Sequence, residues 1–236
     1  MALASLAATG CQSAKSSSAS PASTPAVAEV LTAQRQKSLT PAQVVAELKS
    51  GNRRFVTGSG LRYNYQEQMR RTADGQYPKA VVLSCLDSRV PPEILFDQGI
   101  GDIFVGRVAG NTENTDMLGS MEFATALAGA KAIVVLGHSN CGAIKGAADG
   151  AKLGNLTQTL DNIMPAVAAA KAKTAQGPYD SRNKLFVQAV AVENVRQTVK
   201  DITARSPVLQ ERVAKGELVV VGGIYDLKTG AVEWLD

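Results

Sequence analysis

Ala80-Val81-Val82-Leu83-Ser84-Cys85-Leu86-Asp87-Ser88-Arg89 and Ala132-Ile133-Val134-Val135-Leu136-Gly137-His138-Ser139-Asn140-Cys141-Gly142 are the two stretches on which the fold turns. Each starts as a short, β-branched apolar run and ends among turn-forming residues that carry a thiol. Such runs read as buried strands of a parallel sheet. Open α/β sheets collect their sites beyond the carboxyl ends of such strands. The expected class is therefore α/β, a central, mostly parallel sheet flanked by helices. The chain has one histidine and three cysteines, and the histidine and two of the cysteines stand just past the ends of these runs.

Two thiols, an imidazole and a carboxylate at one sheet edge make a zinc site. His138 and Cys141 lie three apart, from a strand end into a helix N-terminus, so both side chains can face one point. The positive end of that helix favours the thiolate of Cys141. Cys85 and Asp87, two apart in an extended segment, point to the same side. The two pairs are far apart in sequence, but parallel strands one apart in the sheet would bring them together. Taken singly, each residue has a plainer role: a buried thiol, a core histidine satisfied by hydrogen bonds, a capping aspartate. Together, and beside Arg89, they point to zinc. Asp87 then decides between a closed structural site and an open catalytic one. Arg89 can hold the Asp87 carboxylate in a bidentate pair, which leaves the fourth position to water.

Around this centre the chain reads as one domain, residues 40–236. At 236 residues with 45% hydrophobic and 19% charged side chains, it can bury a sizeable core as a soluble globular protein. Its 25 basic and 21 acidic residues show no basic run interleaved with aromatics, which argues against a nucleic-acid surface. An odd cysteine count favours metal or catalytic use over a disulfide framework. A helix is expected after Thr40, with Pro41 at its first position, then a polar helical arm near Tyr63 to Arg71. A strand over Asp102 to Arg107, a helix over Leu118 to Ala130, and helices over Gly142 to Gly150 and Leu156 to Lys173 follow. A long helix over Leu185 to Ala204 is expected to bury Phe186, Ala189, Val192, Val195 and Val199. Glu217 to Ile224 reads as the last core strand and Ala231 to Trp234 as an edge strand.

Residues 1–39 read as a signal-remnant and linker tail, expected to be disordered, rich in Ala, Ser, Thr and Pro. The small-residue approach to Cys11 resembles a bacterial lipoprotein signal, although a basic n-region and a long apolar core are missing. The expectation is a lipid anchor at Cys11 and a periplasmic or membrane-anchored protein; the alternative is a cytoplasmic protein with an idle cysteine.

Cys85-x-Asp87-Ser88-Arg89 and His138-x-x-Cys141-Gly142 resemble the two signature motifs of the β-class carbonic anhydrases. The likeness extends through Phe96 to Gly99, Asp102 to Asn111, Gly119 to Ala124 and Gly222 to Asp226, and covers the chain from about Thr40 onward. It implies the β-carbonic anhydrase fold with an N-terminal helical arm, one Zn2+ per subunit on Cys85, His138 and Cys141, and a homodimer or tetramer. It implies zinc-bound hydroxide adding to carbon dioxide to give bicarbonate, with Asp87 and Arg89 gating and orienting the nucleophile. It further implies a substrate pocket of Gln76, Phe104, Ala109, Phe123 and Gly142. Arg107 and Tyr225 match two positions of a non-catalytic bicarbonate site found in one subgroup, but Val82 stands where that site has a tryptophan. The chain therefore resembles the subgroup that bicarbonate does not regulate. Phe123 occupies a position often held by tyrosine, so no hydroxyl is available there to move protons.

Two rival readings share these residues. The same fold could hydrolyse carbonyl sulfide or carbon disulfide with identical ligands. A non-catalytic binding protein would instead use Asp87 as a permanent fourth ligand, and then Arg89 and Gln76 would have no purpose.

Overall fold

The four apolar runs form parallel strands because each is flanked by sequence that folds back over a sheet face. A computed structural model describes residues 26–235. β1 (Ala80–Ser84), β2 (Ile103–Arg107), β3 (Ala132–His138), β4 (Val219–Tyr225) and β5 (Val232–Leu235) make one sheet in the order β2-β1-β3-β4-β5. Only the β4–β5 pairing is antiparallel. Every residue of β1 and β3 is buried, as strands covered on both faces require. Ser84 pairs in register with Leu136 on one side and Arg107 on the other. Cys85 and His138 thus leave directly bonded strands at nearly the same level.

Eleven helical segments surround the sheet among the described residues. They are α1 (Ala33–Ser38), α2 (Pro41–Thr57), α3 (Tyr65–Thr72), α4 (Pro92–Leu95), α5 (Thr115–Glu122) with a π-helical turn at Phe123–Leu127, α6 (Gly142–Ala148), α7 (Gly154–Asp161), α8 (Met164–Lys173), α9 (Lys184–Arg205) and α10 (Pro207–Ala214). The alternation of β-strand side chains divides the core in two. Val81, Leu83, Ile133 and Val135 pack with Phe186, Val190 and Val195 of α9 on one face. Val82, Val134 and Leu136 pack with Val44 and Leu48 of α2 and with Leu95 and Phe96 on the other. Gly137 and Gly222 allow α9 its close approach. A Cβ on either would stand 2.6 Å from a methyl of Val195.

Four expectations need correction. The folded chain begins before residue 40. Val27 bridges Arg62, and α1 is tied down by Gln36, whose amide donates to the carbonyls of Pro78 (2.7 Å) and Ala128 (2.8 Å). A polar side chain anchors this segment, so apolar periodicity gave no sign of it. Residues 1–25, including Cys11, lie outside the described residues. The helix expected over Leu118 to Ala130 instead runs from Thr115, capped by Asn114, and widens into the π turn. α9 buries Phe186, Val187, Val190, Ala191, Asn194, Val195, Thr198 and Ile202; Ala189, Val192 and Val199 sit only at the margin. Asn194 and Thr198 belong to the buried stripe but are polar, which misled the periodicity. Finally, α10 was missed, although Ser206 accepts from Leu209 N–H as its cap and Pro207 takes the first turn.

Candidate metal centre

His138 is the last residue of β3 and is fully buried. Its Nδ1 lies 3.0 Å from the Ser139 carbonyl, which makes Nδ1–H the donor. That tautomer leaves Nε2 as a bare acceptor, and Nε2 is buried with no hydrogen-bond partner. An orphaned buried acceptor is costly unless something else binds it. Cys141 stands at the N-cap of α6 with no side-chain capping bond of its own. Cys85 follows β1 directly, and its Sγ accepts from Gly110 N–H at 3.4 Å. The backbone behind that bond is fixed in turn. Gly110 takes φ +82°, Asn111 takes φ +47°, and the Asn194 amide donates to the Gly110 carbonyl at 2.7 Å.

The Cys85, His138 and Cys141 donor atoms lie within 4.8 Å of one another, and all three residues are buried. The sulfurs are 3.8 Å apart, too far for a disulfide. Two thiolates bound tetrahedrally to zinc at ~2.3 Å would stand about 3.8 Å apart. The donor set, the sulfur spacing and the unpartnered Nε2 therefore all fit a zinc ion. The hydrogen bond from Cys141 pulls Cys85 below the usual thiol range, while the same bond and burial push Cys141 up.

Asp87 comes next to this cluster but is turned toward Arg89. Arg89 Nε donates to Oδ1 at 2.9 Å, Nη2 to Oδ2 at 2.6 Å, and the Arg89 backbone N–H to Oδ1 at 3.0 Å. These bonds hold the carboxyl well below the usual carboxylate range. Oδ2 is 3.8 Å from His138 Nε2, so it borders the centre while remaining bound to the guanidinium. Arg107 contributes a support that the sequence did not suggest. Its Nε donates to the Cys85 carbonyl at 3.1 Å and its Nη2 to the Leu86 carbonyl at 3.2 Å, with a further bond to the Asp87 carbonyl. Arg107 thereby shapes the loop that presents Cys85 and Asp87. Its place as the last residue of the expected strand over Asp102 to Arg107 was the only clue; the structure pairs it with Ser84, just before Cys85. Tyr225 is buried in the core and Val82 lies within the sheet.

The substrate-pocket residues divide into two groups. Ala109 adjoins Gly110 beside Cys85, and Gly142 opens α6 beside Cys141. Gln76, Phe104 and Phe123 are not in this cluster. Gln76 is exposed and precedes β1, on the amino-terminal side of the sheet. Phe104 pairs with Val81, four residues or about 13 Å before Cys85 along the strand direction. Phe104 and Phe123 meet edge to face at 6.2 Å in an apolar groove of about 670 Å³, where Phe123 is 51% exposed.

Comparison with known proteins adds a consistent set of findings. A family model described as carbonic anhydrase matches residues 80–232. Carbonic anhydrase 2 of Mycobacterium tuberculosis is 39% identical over 189 residues, covering 78% of this chain and 87% of the relative. A carbonic anhydrase of Mycolicibacterium smegmatis is 36% identical over 192 residues, covering 79% and 89%. Among solved structures, a β-carbonic anhydrase of Aspergillus fumigatus superposes with a TM-score of 0.66 at 26% identity, covering 83% of this chain and 90% of that one. A tetrameric β-carbonic anhydrase of Sordaria macrospora gives 0.64 at 27% identity, covering 72% and 86%.

Proposed function

This chain belongs to the β-class carbonic anhydrase family, a family of lyases, and from that premise we propose that its Asp87–Arg89 pair gates a zinc site interconverting carbon dioxide and bicarbonate. In the forward direction water adds across carbon dioxide and one proton is released for each bicarbonate formed. Cys85, His138 and Cys141 would hold one zinc per subunit. A zinc ion in this donor set would supply hydroxide near neutral pH, since zinc can lower the pKa of its water to about 7.

The protein's own groups do the positioning. Arg89 fixes the Asp87 carboxylate in a two-point pair and so keeps it from becoming a fourth ligand. Asp87 Oδ2, held 3.8 Å from His138 Nε2, is placed where it would accept a hydrogen bond from an oxygen at the metal and so orient it toward carbon dioxide. An oxygen without a hydrogen cannot satisfy that acceptor, so the pair also selects what occupies the position. Ala109 and Gly142 border the reacting space. Gln76, Phe104 and Phe123 act in the site of a second copy, supported by their distance from their own metal ligands and by the exposed apolar groove. The working unit is then at least a homodimer. The single observation that carries the reading is the bidentate Asp87–Arg89 pair beside the unpartnered His138 Nε2.

The test is stopped-flow carbon dioxide hydration on metal-quantified protein. Cys85→Ala, His138→Ala and Cys141→Ala should each lose zinc and activity together, because two remaining soft ligands hold the ion poorly. Stoichiometric zinc with normal turnover in any of them would refute the assignment. A further element of the reading is lipid anchoring at Cys11, with a periplasmic or membrane-anchored location. Its support is the sequence before Cys11 alone. Protein expressed from the full gene should sediment with membranes and be released by Cys11→Ser; soluble protein in both cases removes the anchor.

A further inference from the structure

Beside the metal centre lies a pocket of about 500 Å³ whose lining includes none of the three candidate metal ligands. Arg89, Asn140, Lys145, Lys184, Gln188 and Lys228 line it. These residues come from four different parts of the fold: the loop after β1, the turn after β3 with α6, the first two turns of α9, and the turn between β4 and β5. Lys145, Lys184 and Lys228 make no ion pair and no side-chain hydrogen bond among the described residues, whereas Lys79, Lys173 and Lys215 all do. The one acidic residue on the wall, Asp226, offsets one of their three charges, and its hydrogen bonds keep it ionised. Its Oδ1 already accepts from the N–H groups of Lys228 (2.9 Å) and Thr229 (2.8 Å) and from the Thr229 hydroxyl (3.1 Å). Arg89 offers its remaining nitrogen, since Nε and Nη2 are taken by Asp87.

Three lysines without ion pairs line this concavity against the single carboxylate of Asp226, and the net positive wall attracts negative charge. The volume exceeds what bicarbonate needs and falls within the range of small-molecule sites. Asn140 and Gln188 add amide donors that fix orientation. We propose that this pocket is a second ligand site, selective for a small molecule carrying two or more phosphate-class negative charges. Three lysines against one aspartate leave two positive charges in excess, which matches a ligand with two or more negative charges better than a monoanion. The site shares only Arg89 with the hydration machinery, and its existence does not depend on which reaction the metal centre performs.

The probe is pyrophosphate, titrated calorimetrically into zinc-loaded protein in magnesium-free buffer at low ionic strength, where surface charge is least screened. One site per chain is expected. The triple variant Lys145→Gln, Lys184→Gln, Lys228→Gln should weaken binding at least about tenfold, or about 1.4 kcal/mol. A control of equal charge change, Lys152→Gln, Lys171→Gln, Lys200→Gln, should stay within about twofold of the parent, since distant surface charges are screened. Each single pocket substitution should weaken binding by a smaller factor, which keeps the test valid should the triple variant fold poorly. No binding to the parent protein overturns the proposal. So does binding that the pocket variants leave unchanged, which would put the ligand on the metal, and so does an equal loss in both triple variants, which would show general charge attraction only.

Discussion

Arg89 is a small expenditure of surface for a large effect on Asp87, because its two parallel hydrogen bonds set both the charge and the direction of that carboxylate. Arg89→Ala should leave zinc bound to its three ligands and reduce hydration by about 10- to 100-fold, the usual consequence of removing a partner that orients a metal site. Zinc content and turnover measured on the same sample check this; normal activity, or loss of the metal itself, would contradict it. Asp102 offers a different residue-scale test. It is buried beneath β2, and its Oδ2 accepts from Gly99 N–H at 2.8 Å. Burial raises its pKa above the ordinary value. The folded chain then holds this proton more tightly than the unfolded chain, whose aspartates titrate near about 3.9. The stability this group contributes is complete below that value and is lost as pH rises through the higher folded pKa. Asp102→Asn keeps an acceptor for Gly99 and removes the buried charge. Its stability relative to the parent should therefore rise between pH 3 and pH 7 (roughly the span of carboxylate titration) in urea denaturation; a constant difference would show that burial of Asp102 has no titration consequence.

At the scale of elements, the site is held by close approaches that side chains would prevent. α9 lies on β3 and β4 because Gly137 and Gly222 leave room for Val195, and Asn194 of the same helix holds the Gly110 carbonyl. α2 approaches the end of α4 through Gly51, where a Cβ would stand 1.8 Å from the Phe96 carbonyl oxygen. Alanine in place of a helical glycine ordinarily stabilises by about 0.5–1 kcal/mol. Here the obstructing atom is backbone, so no rotamer change relieves the overlap. Gly51→Ala should destabilise by about 1–3 kcal/mol as α2 shifts, lowering the melting temperature by several degrees. A raised melting temperature would mean that helix propensity outweighs packing at this contact. The strand ends were readable element by element, since β-branched runs followed by turn residues are local signals. α9 shows the limit: the polar Asn194 and Thr198 are buried because of what lies beneath them, which no periodicity within the helix records.

At the scale of the whole molecule, the chain leaves one apolar edge open. β2 is an edge strand, Phe123 and Leu127 of the π turn are exposed, and Phe104 lies in the open apolar groove beside them. Association of two copies through this side would cover that surface and carry Phe104 and Phe123 toward the partner's centre. Phe123→Asp should shift the protein to monomer in analytical ultracentrifugation and reduce hydration while zinc remains bound. A parent protein that is already monomeric and fully active would exclude the shared site. The described helices include none long and apolar enough to cross a membrane.

By itself the sequence determined the chemistry at one sheet edge. Cys85, Asp87, Arg89, His138 and Cys141 were legible because thiols, a lone imidazole and a paired carboxylate at strand ends have few other common uses, and their short spacings act through local geometry. The α/β class followed from the same apolar runs. Tertiary structure alone decided that β1 and β3 are direct neighbours in a register that brings the two ligand pairs together. It alone turned Arg107 onto the carbonyls of the Cys85–Asp87 loop, anchored α1 through Gln36, and separated Gln76, Phe104 and Phe123 from the metal ligands of their own chain. The physical reason is the range of the interactions. Spacing of a few residues fixes which side chains share a face, whereas pairing between strands and polar contacts across the core depend on segments far apart in the chain, whose meeting is set by packing of the whole.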